Sequence, residues 1–285
     1  MTAFTTTLSD EYVPGFFFTF GSLLNSTLNF NFDLIIFEWG CLSKQNKDLI
    51  TAFYPNVYFK KIKQEDYGIQ THDTTWRNWT YNCNYRFDIF TLTEYQQVIF
   101  FDSDILFEID ASELVSYNVD FGACIMPYNF NYNQTIAKES FNAGLMIIGK
   151  KYLNKKVKED LINISNSLPP PCKDIKSNKW FGNQPILNNY FYEKMTKLPE
   201  KFNFLTDRLS LKCFKEPKNF HFIGHKKPWN VGNLLVDKFD KYIFDSISDN
   251  QVIQTMVLKK INERCILQIE RLNNTYKFVD KNNSK

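Results

Sequence analysis

The chain has 285 residues, 44% of them hydrophobic, and a formal net charge of +3; that is apolar material for one large α/β domain or two small ones. Its charges are scattered, with no basic tail or arm, which excludes a nucleic-acid partner, while a pI of about 8.3 suits an anionic small substrate. Six cysteines, at positions 41, 83, 124, 172, 213 and 265, form no Cys-x-x-Cys pair, so a zinc site is not expected and a reducing, cytoplasmic compartment fits.

In chain order, "AFTTTL" (Ala3–Leu8) reads as a strand, and Ser9, Asp10 and Pro14 supply helix-start chemistry for "YVPGFFFTFGSLLN". The apolar stretch here is interrupted by Asn25, Ser26, Thr27, Asn29, Asn31 and Asp33 and has no basic flank before Lys44. It is expected to be neither a signal peptide nor a membrane span. "DLIIFE" reads as a buried strand, "SKQNKDLITAFY" as a helix and "NVYFKKI" as the next strand. This alternation predicts an open, mostly parallel sheet, whose ligands bind beyond the carboxyl ends of the strands.

Gly68 to Asn84, with Trp76 and Trp79, reads as an irregular flap, and "YRFDIFTLTEY" as a helix feeding the strand "QVIFF". Further strands are expected at "VDFGACIM" and "AGLMIIG", a Lys-rich helix from about Lys150, and a break at "PPPC". From Ser248 onward Val252, Ile253, Met256, Val257, Ile261, Cys265, Ile266 and Ile269 recur at helical spacing. That amphipathic helix is expected to pack on the domain or on a partner, with a homodimer open. The expected organisation is one domain over residues 1–235 and a helical extension with a frayed tail over 236–285.

The strand "QVIFF" runs directly into Asp102-Ser103-Asp104. Two carboxylates at a strand end repel each other in a cleft unless a hard divalent cation joins them, and oxygen ligands select Mg²⁺ or Mn²⁺. An isolated Asp-x-Asp is equally a solvated turn. Far downstream, "HFIGHKKPW" places His221 at a second apolar strand end, followed by Gly224 and Lys227. An imidazole completes a mixed O/N site, glycine admits close backbone approach, and lysine supplies a point charge for phosphate.

These residues carry a resemblance to glycosyltransferase family 8, the glycogenin-like retaining enzymes with a GT-A fold. "AFTTTLSDEYVPG" resembles the family's opening nucleotide strand and helix, "FFDSD" its Asp-x-Asp and "FNAGLMII" its Phe-Asn-Ser/Ala-Gly strand. "NQPILN" resembles its Asp-Gln-x-x-Leu-Asn, and "HFIGHKKPW" its His-x-x-Gly-x-x-Lys-Pro-Trp, the match being collinear from Ala3 to about Asn230. The resemblance implies a Rossmann-like, mostly parallel central sheet flanked by helices. It implies transfer of a hexose from a UDP-sugar, UDP-glucose or UDP-galactose, to a hydroxyl of a glycan, polyol or protein. By the same resemblance Asp102, Asp104 and His221 hold Mn²⁺ (or Mg²⁺), with Ser103 beside them. Thr6, Leu8, Ser9 and Tyr12 contact uridine, Tyr12 stacking on uracil, and Arg86, Gly224 and Lys227 meet the diphosphate. Asn142 reads sugar hydroxyls as donor and acceptor, and Gln184 faces the anomeric carbon.

Asn183 departs from the family's usual Asp and favours a front-face route, in which the acceptor hydroxyl enters beside the departing UDP; it also leaves open a sugar-binding pseudoenzyme. A haloacid-dehalogenase phosphatase shares Asp-x-Asp, but no glycine here precedes an Asp as its second motif requires. A self-glycosylating primer needs a tyrosine before the His motif, and Glu200–Phe220 contains none, leaving Tyr192 as the alternative.

Overall fold

The computed structural model describes residues 1–39, 42–67, 85–126, 131–132, 135–136, 140–167, 183–206 and 216–223. The expected flap, the "PPPC" break, Gly224, Lys227 and the amphipathic C-terminal helix with the whole 236–285 extension lie outside those residues.

Strand β1 (Thr2–Leu8) leads through a 3-10 turn (Asp10–Tyr12) into helix α1 (Val13–Ser26), where Pro14 occupies the first turn and no N–H is wasted. Next come β2 (Asp33–Glu38), α2 (Lys44–Phe53) and β3 (Val57–Lys61). Ser43 caps α2 by accepting from Asn46 N–H. The segment read as helical before the Asp-x-Asp strand is a 3-10 helix, Tyr85–Thr91, followed by β4 (Gln97–Phe101) and the short β5 (Ile105–Leu106). Helix α3 (Ala111–Val115), β6 (Phe121–Met126), a small hairpin of β7 (Asn131–Tyr132) and β8 (Thr135–Ile136), and β9 (Ser140–Gly149) follow. The Lys-rich helix starts later than expected, as α4 (Lys155–Ser167), because Lys150–Tyr152 forms a separate 3-10 turn. The described chain then contains α5 (Gln184–Phe191), β10 (Thr196–Leu198), β11 (Phe204–Leu205) and β12 (Phe220–His221).

The main sheet has the order β10-β6-β9-β4-β1-β2-β3, and every strand but β9 runs the same way. Successive side chains alternate between its faces. Phe4, Leu34, Ile36, Ile99 and Phe101 meet the phenylalanines of α1 and the Leu49–Ile50 pair of α2. Ala3, Ile35, Phe37, Val98 and Phe100 face the Tyr85–Thr91 helix, α4 and α5. The aromatic excess fills these layers: Phe20 stacks on Phe16 and Phe101, and Phe121 on Phe191 at 4.0 Å. Three hydroxyls on and just after α1 hold later main chain. Thr19 Oγ1 accepts from Ile105 N–H, Ser22 Oγ from Phe107 N–H, and Thr27 Oγ1 from Ala111 N–H. They dock the chain that leaves the Asp-x-Asp turn.

Two irregularities place the site. Between β6 and β9 the register jumps, from Ala123↔Met146 to Cys124↔Asn142, so Ala143 to Leu145 bulge from that ladder. A second sheet, β11-β12-β5, sets His221 opposite Ile105, one residue beyond Asp104.

Candidate functional site

Asp102 follows the last residue of β4, and its N–H donates to Gly144 O at 2.7 Å, a carbonyl presented by the β9 bulge. Asp104 sits in the next turn, with its carbonyl accepting from Phe222 N–H at 2.9 Å. Because β12 pairs antiparallel to β5, His221 is delivered against both aspartates. Its Nε2 lies 3.1 Å from Asp104 Oδ1 and 3.9 Å from Asp102 Oδ2. The three ligand atoms all fall within 4.8 Å of one another.

This donor set fits a divalent cation. Two carboxylate oxygens and one imidazole nitrogen, partly open to solvent, are the hard and borderline ligands that Mn²⁺ or Mg²⁺ accepts. The His221 ring lies directly over Gly144: a Cβ there would come within 2.8 Å of its Nδ1, so only glycine lets the ring approach.

Arg86 sits on the Tyr85–Thr91 helix. Its Nη2 donates to Asp102 Oδ1 at 2.9 Å and its Nη1 to Ala143 O at 3.1 Å, with the guanidinium 4.8 Å from the Phe100 ring centre. The fork is pre-oriented by three contacts. It occupies Oδ1 of Asp102 and leaves Oδ2 on the side of His221.

Asn142 lies inside β9, not at its end. Its Oδ1 accepts from Gly144 N–H at 2.8 Å and from Asn203 Nδ2 at 2.9 Å. Both lone pairs of that oxygen are engaged. Gln184 opens α5, its Oε1 accepting from Ala143 N–H at 3.2 Å. Asn183 is buried at the N-cap, and its carbonyl accepts from Ile186 and Leu187 N–H.

At the end of β1, Ser9 is buried and its Oγ has no hydrogen-bond partner among the described residues. Thr6 and Leu8 are buried, and Thr6 Oγ1 likewise has no hydrogen-bond partner among the described residues. Tyr12 lies 6.1 Å ring to ring from Trp39, just past β2. Asp10 Oδ1 accepts from Asn46 Nδ2 and Ser43 N–H; these contacts, the Asn46 one first, hold its carboxyl below the usual range and fix the start of α2 beside this aromatic pair. Cys124, opposite Asn142, is buried, which pushes its thiol up to about 12 and makes it inert at neutral pH.

The structure thus brings together Arg86, Asp102, Ser103, Asp104, Asn142, Gln184 and His221, with Ser9 and Tyr12 one strand away. Sequence reading missed Trp39 and Asn203. Trp39 had a usable signal, an aromatic directly after the strand "DLIIFE". Asn203 had none, since nothing in its neighbours marks it as facing a histidine 18 residues away.

An open sheet with one inverted strand, and an Asp-x-Asp turn at a central strand end joined by a histidine from a second small sheet, define a GT-A fold. LgtC, described as a galactosyltransferase and solved in complex with donor and acceptor sugar analogs, is similar with a TM-score of 0.61 and 19% identity, over 86% of this chain and 96% of that one. GlyE of Streptococcus pneumoniae TIGR4 is similar with a TM-score of 0.57 and 19% identity, over 91% and 64%. At those identities the likeness is one of fold.

The chain belongs to Glycosyl transferase family 8, whose family model matches residues 4–232; membership implies a nucleotide-sugar donor. It is 27% identical over 213 residues to glycosyltransferase GlyF of Streptococcus pneumoniae serotype 4 (strain ATCC BAA-334 / TIGR4), which covers 69% of this chain and 48% of GlyF. It is 20% identical over 156 residues to a probable glycosyl transferase, Gly, of Streptococcus gordonii, covering 53% of this chain and 22% of that protein. The chain spans about half the length of the first relative and less of the second.

Proposed function

We propose that this chain is a retaining transferase that moves a hexose from a UDP-sugar, UDP-glucose or UDP-galactose, to a hydroxyl acceptor. The observation that carries the reading is the convergence of Asp102, Asp104 and His221 at the strand ends in a chain of this family. Those three side chains would hold Mn²⁺, which when bound supplies positive charge to the diphosphate of the leaving UDP. Arg86, fixed on Asp102 and Ala143, turns its remaining N–H groups toward the same phosphates, and Lys227 adds a second cation there. Asn142 donates to a sugar hydroxyl oxygen through its NH₂ group. Ser9 Oγ and the Tyr12 ring receive the uridine, with Thr6 and Leu8 contributing main chain. Gly224 admits the phosphate. We assign this work to residues 1–235 and place it in the cytoplasm, and the acceptor is a glycan, polyol or protein.

Self-transfer through Tyr192 is disfavoured by geometry. Tyr192 follows the last residue of α5 while Asn183 and Gln184 are at its first turn, about 12 Å away along the axis. The amide at Asn183 favours the second reading, a protein that binds a UDP-sugar without turning it over. A panel of UDP-sugars, assayed for hydrolysis and transfer with Mn²⁺ and again after chelation, separates the two. The expected result is Mn²⁺-dependent release of UDP from one hexose donor, with an α-linked product by NMR from an α-linked donor. In calorimetry Asp102→Asn weakens Mn²⁺-dependent UDP binding by about tenfold or more, on the scale of losing a charged ligand. UDP affinity unchanged by chelation would sink the metal assignment.

A further inference from the structure

Behind His221 lies a hydrogen-bond relay whose polarity can be derived. Asn203, 3% exposed, closes a 3-10 turn (Glu200–Phe202) immediately before β11. Its amide stands between Asn142 and His221: Nδ2 is 2.9 Å from Asn142 Oδ1, and Oδ1 is 2.9 Å from His221 Nδ1. Amide orientations and imidazole tautomers are normally inferred from their surroundings. Here one fixed donor decides them all. The N–H of Gly144 is main chain and can only donate, so the Asn142 atom 2.8 Å from it is the carbonyl oxygen. That oxygen can only accept, so Asn203 turns its NH₂ toward it. The other end of the Asn203 amide, facing His221, is therefore the carbonyl oxygen, and His221 Nδ1 must carry a proton to donate to it.

We propose that Asn203 is a positioning residue that locks neutral His221 in the Nδ1–H tautomer, so that the Nε2 lone pair faces Asp102 and Asp104. An imidazole lone pair 3.1 Å from a carboxylate oxygen is an acceptor facing an acceptor, and a cation between them turns repulsion into ligation. The same Asn203 amide orients Asn142, so one buried side chain ties the sugar-facing amide to the metal-facing imidazole. The proposal rests on the reading of His221 as a metal ligand, but the tautomer is measured without metal.

The test uses metal-free protein labelled with ¹⁵N-histidine, with the pH raised until the spectra show one protonated and one bare nitrogen in each ring. Correlations between ring carbon-bound protons and ring nitrogens report which nitrogen is protonated. The chain has three histidines, and the patterns lost in His72→Asn and His225→Asn leave the third as His221. The expected pattern is Nδ1–H in the wild-type protein. Asn203→Leu is expected to move His221 to Nε2–H and to weaken MnCl₂ binding in calorimetry by about ten- to a hundredfold. An Nε2–H pattern in the wild-type chain overturns the proposal, and that outcome needs no variant to fold. So does an unchanged tautomer and MnCl₂ affinity in Asn203→Leu. An Nδ1–H pattern in a wild-type protein that does not bind MnCl₂ supports the relay and refutes the metal reading.

Discussion

At the residue scale, Asn183 and Gly144 carry the sharpest expectations. If a carboxylate nucleophile were needed at position 183, the native chain would be inactive and Asn183→Asp would restore it. Asn183 is buried, so a new carboxylate there is held in its neutral form by desolvation more than an exposed one would be. The expected outcome is native activity and a change of less than about a hundredfold in kcat for Asn183→Asp. Clear rescue of an otherwise silent protein would favour a degenerate transferase. Gly144 lies under the His221 ring and beside Asn142 Oδ1. Gly144→Ala must displace one of them, and overpacking of this kind destabilises by about 1–3 kcal/mol. Thermal melts should show that loss, and UDP binding with Mn²⁺ should weaken with it.

At the scale of elements, the Tyr85–Thr91 helix that carries Arg86 is anchored to α4 by a buried charge cluster. Lys158 Nζ donates to Asp88 Oδ1 at 2.7 Å and to Asp66 Oδ2 at 2.8 Å, and Tyr67 OH donates to Asp88 Oδ2 at 2.7 Å. The Lys158 and Asp88 side chains are 10% and 11% exposed. Removing one member of a buried pair leaves the other uncompensated, which costs more than the pair contributes. Lys158→Met is therefore expected to destabilise the protein by about 3 kcal/mol, read from urea midpoints. Because Asp88 is two residues from Arg86, UDP affinity should fall as well. An unchanged urea midpoint would show that the cluster adds nothing to stability.

At the scale of the whole molecule, the fold gathers protonated groups that resist alkali. Burial alone would lower Lys158, but its bonds to Asp66 and Asp88 outweigh that and raise it. Burial first and then the Asp88 charge raise Tyr67, and burial with the Asp33 hydrogen bond raises Tyr95. A group whose folded pKa lies above its unfolded value contributes stability that is fully present below the unfolded pKa and lost as pH rises through the folded one. Unfolding midpoints should hold up to about pH 9.5 and fall above about pH 10, where unfolded Tyr and Lys release protons. The fall should be shallower in Tyr67→Phe. The open, mostly parallel sheet was legible because apolar runs alternate with amphipathic stretches, but the order of its strands was not. Nor was the inversion of β9, since a fully buried strand reads the same in either direction. Asp102 and Asp104 were legible because both lie in one turn after an apolar run. The residues themselves determined the apolar strands and the amphipathic stretches between them, the Pro14 helix start and the acidic pair, all of which are patterns within a few positions. Only the tertiary structure decided that the β9 bulge delivers Gly144 to Asp102, that β12 pairs with β5 to seat His221, and that Asn203 stands behind it. Those contacts join segments 18 to more than 100 residues apart, and no local pattern in the sequence records which of many polar side chains will meet.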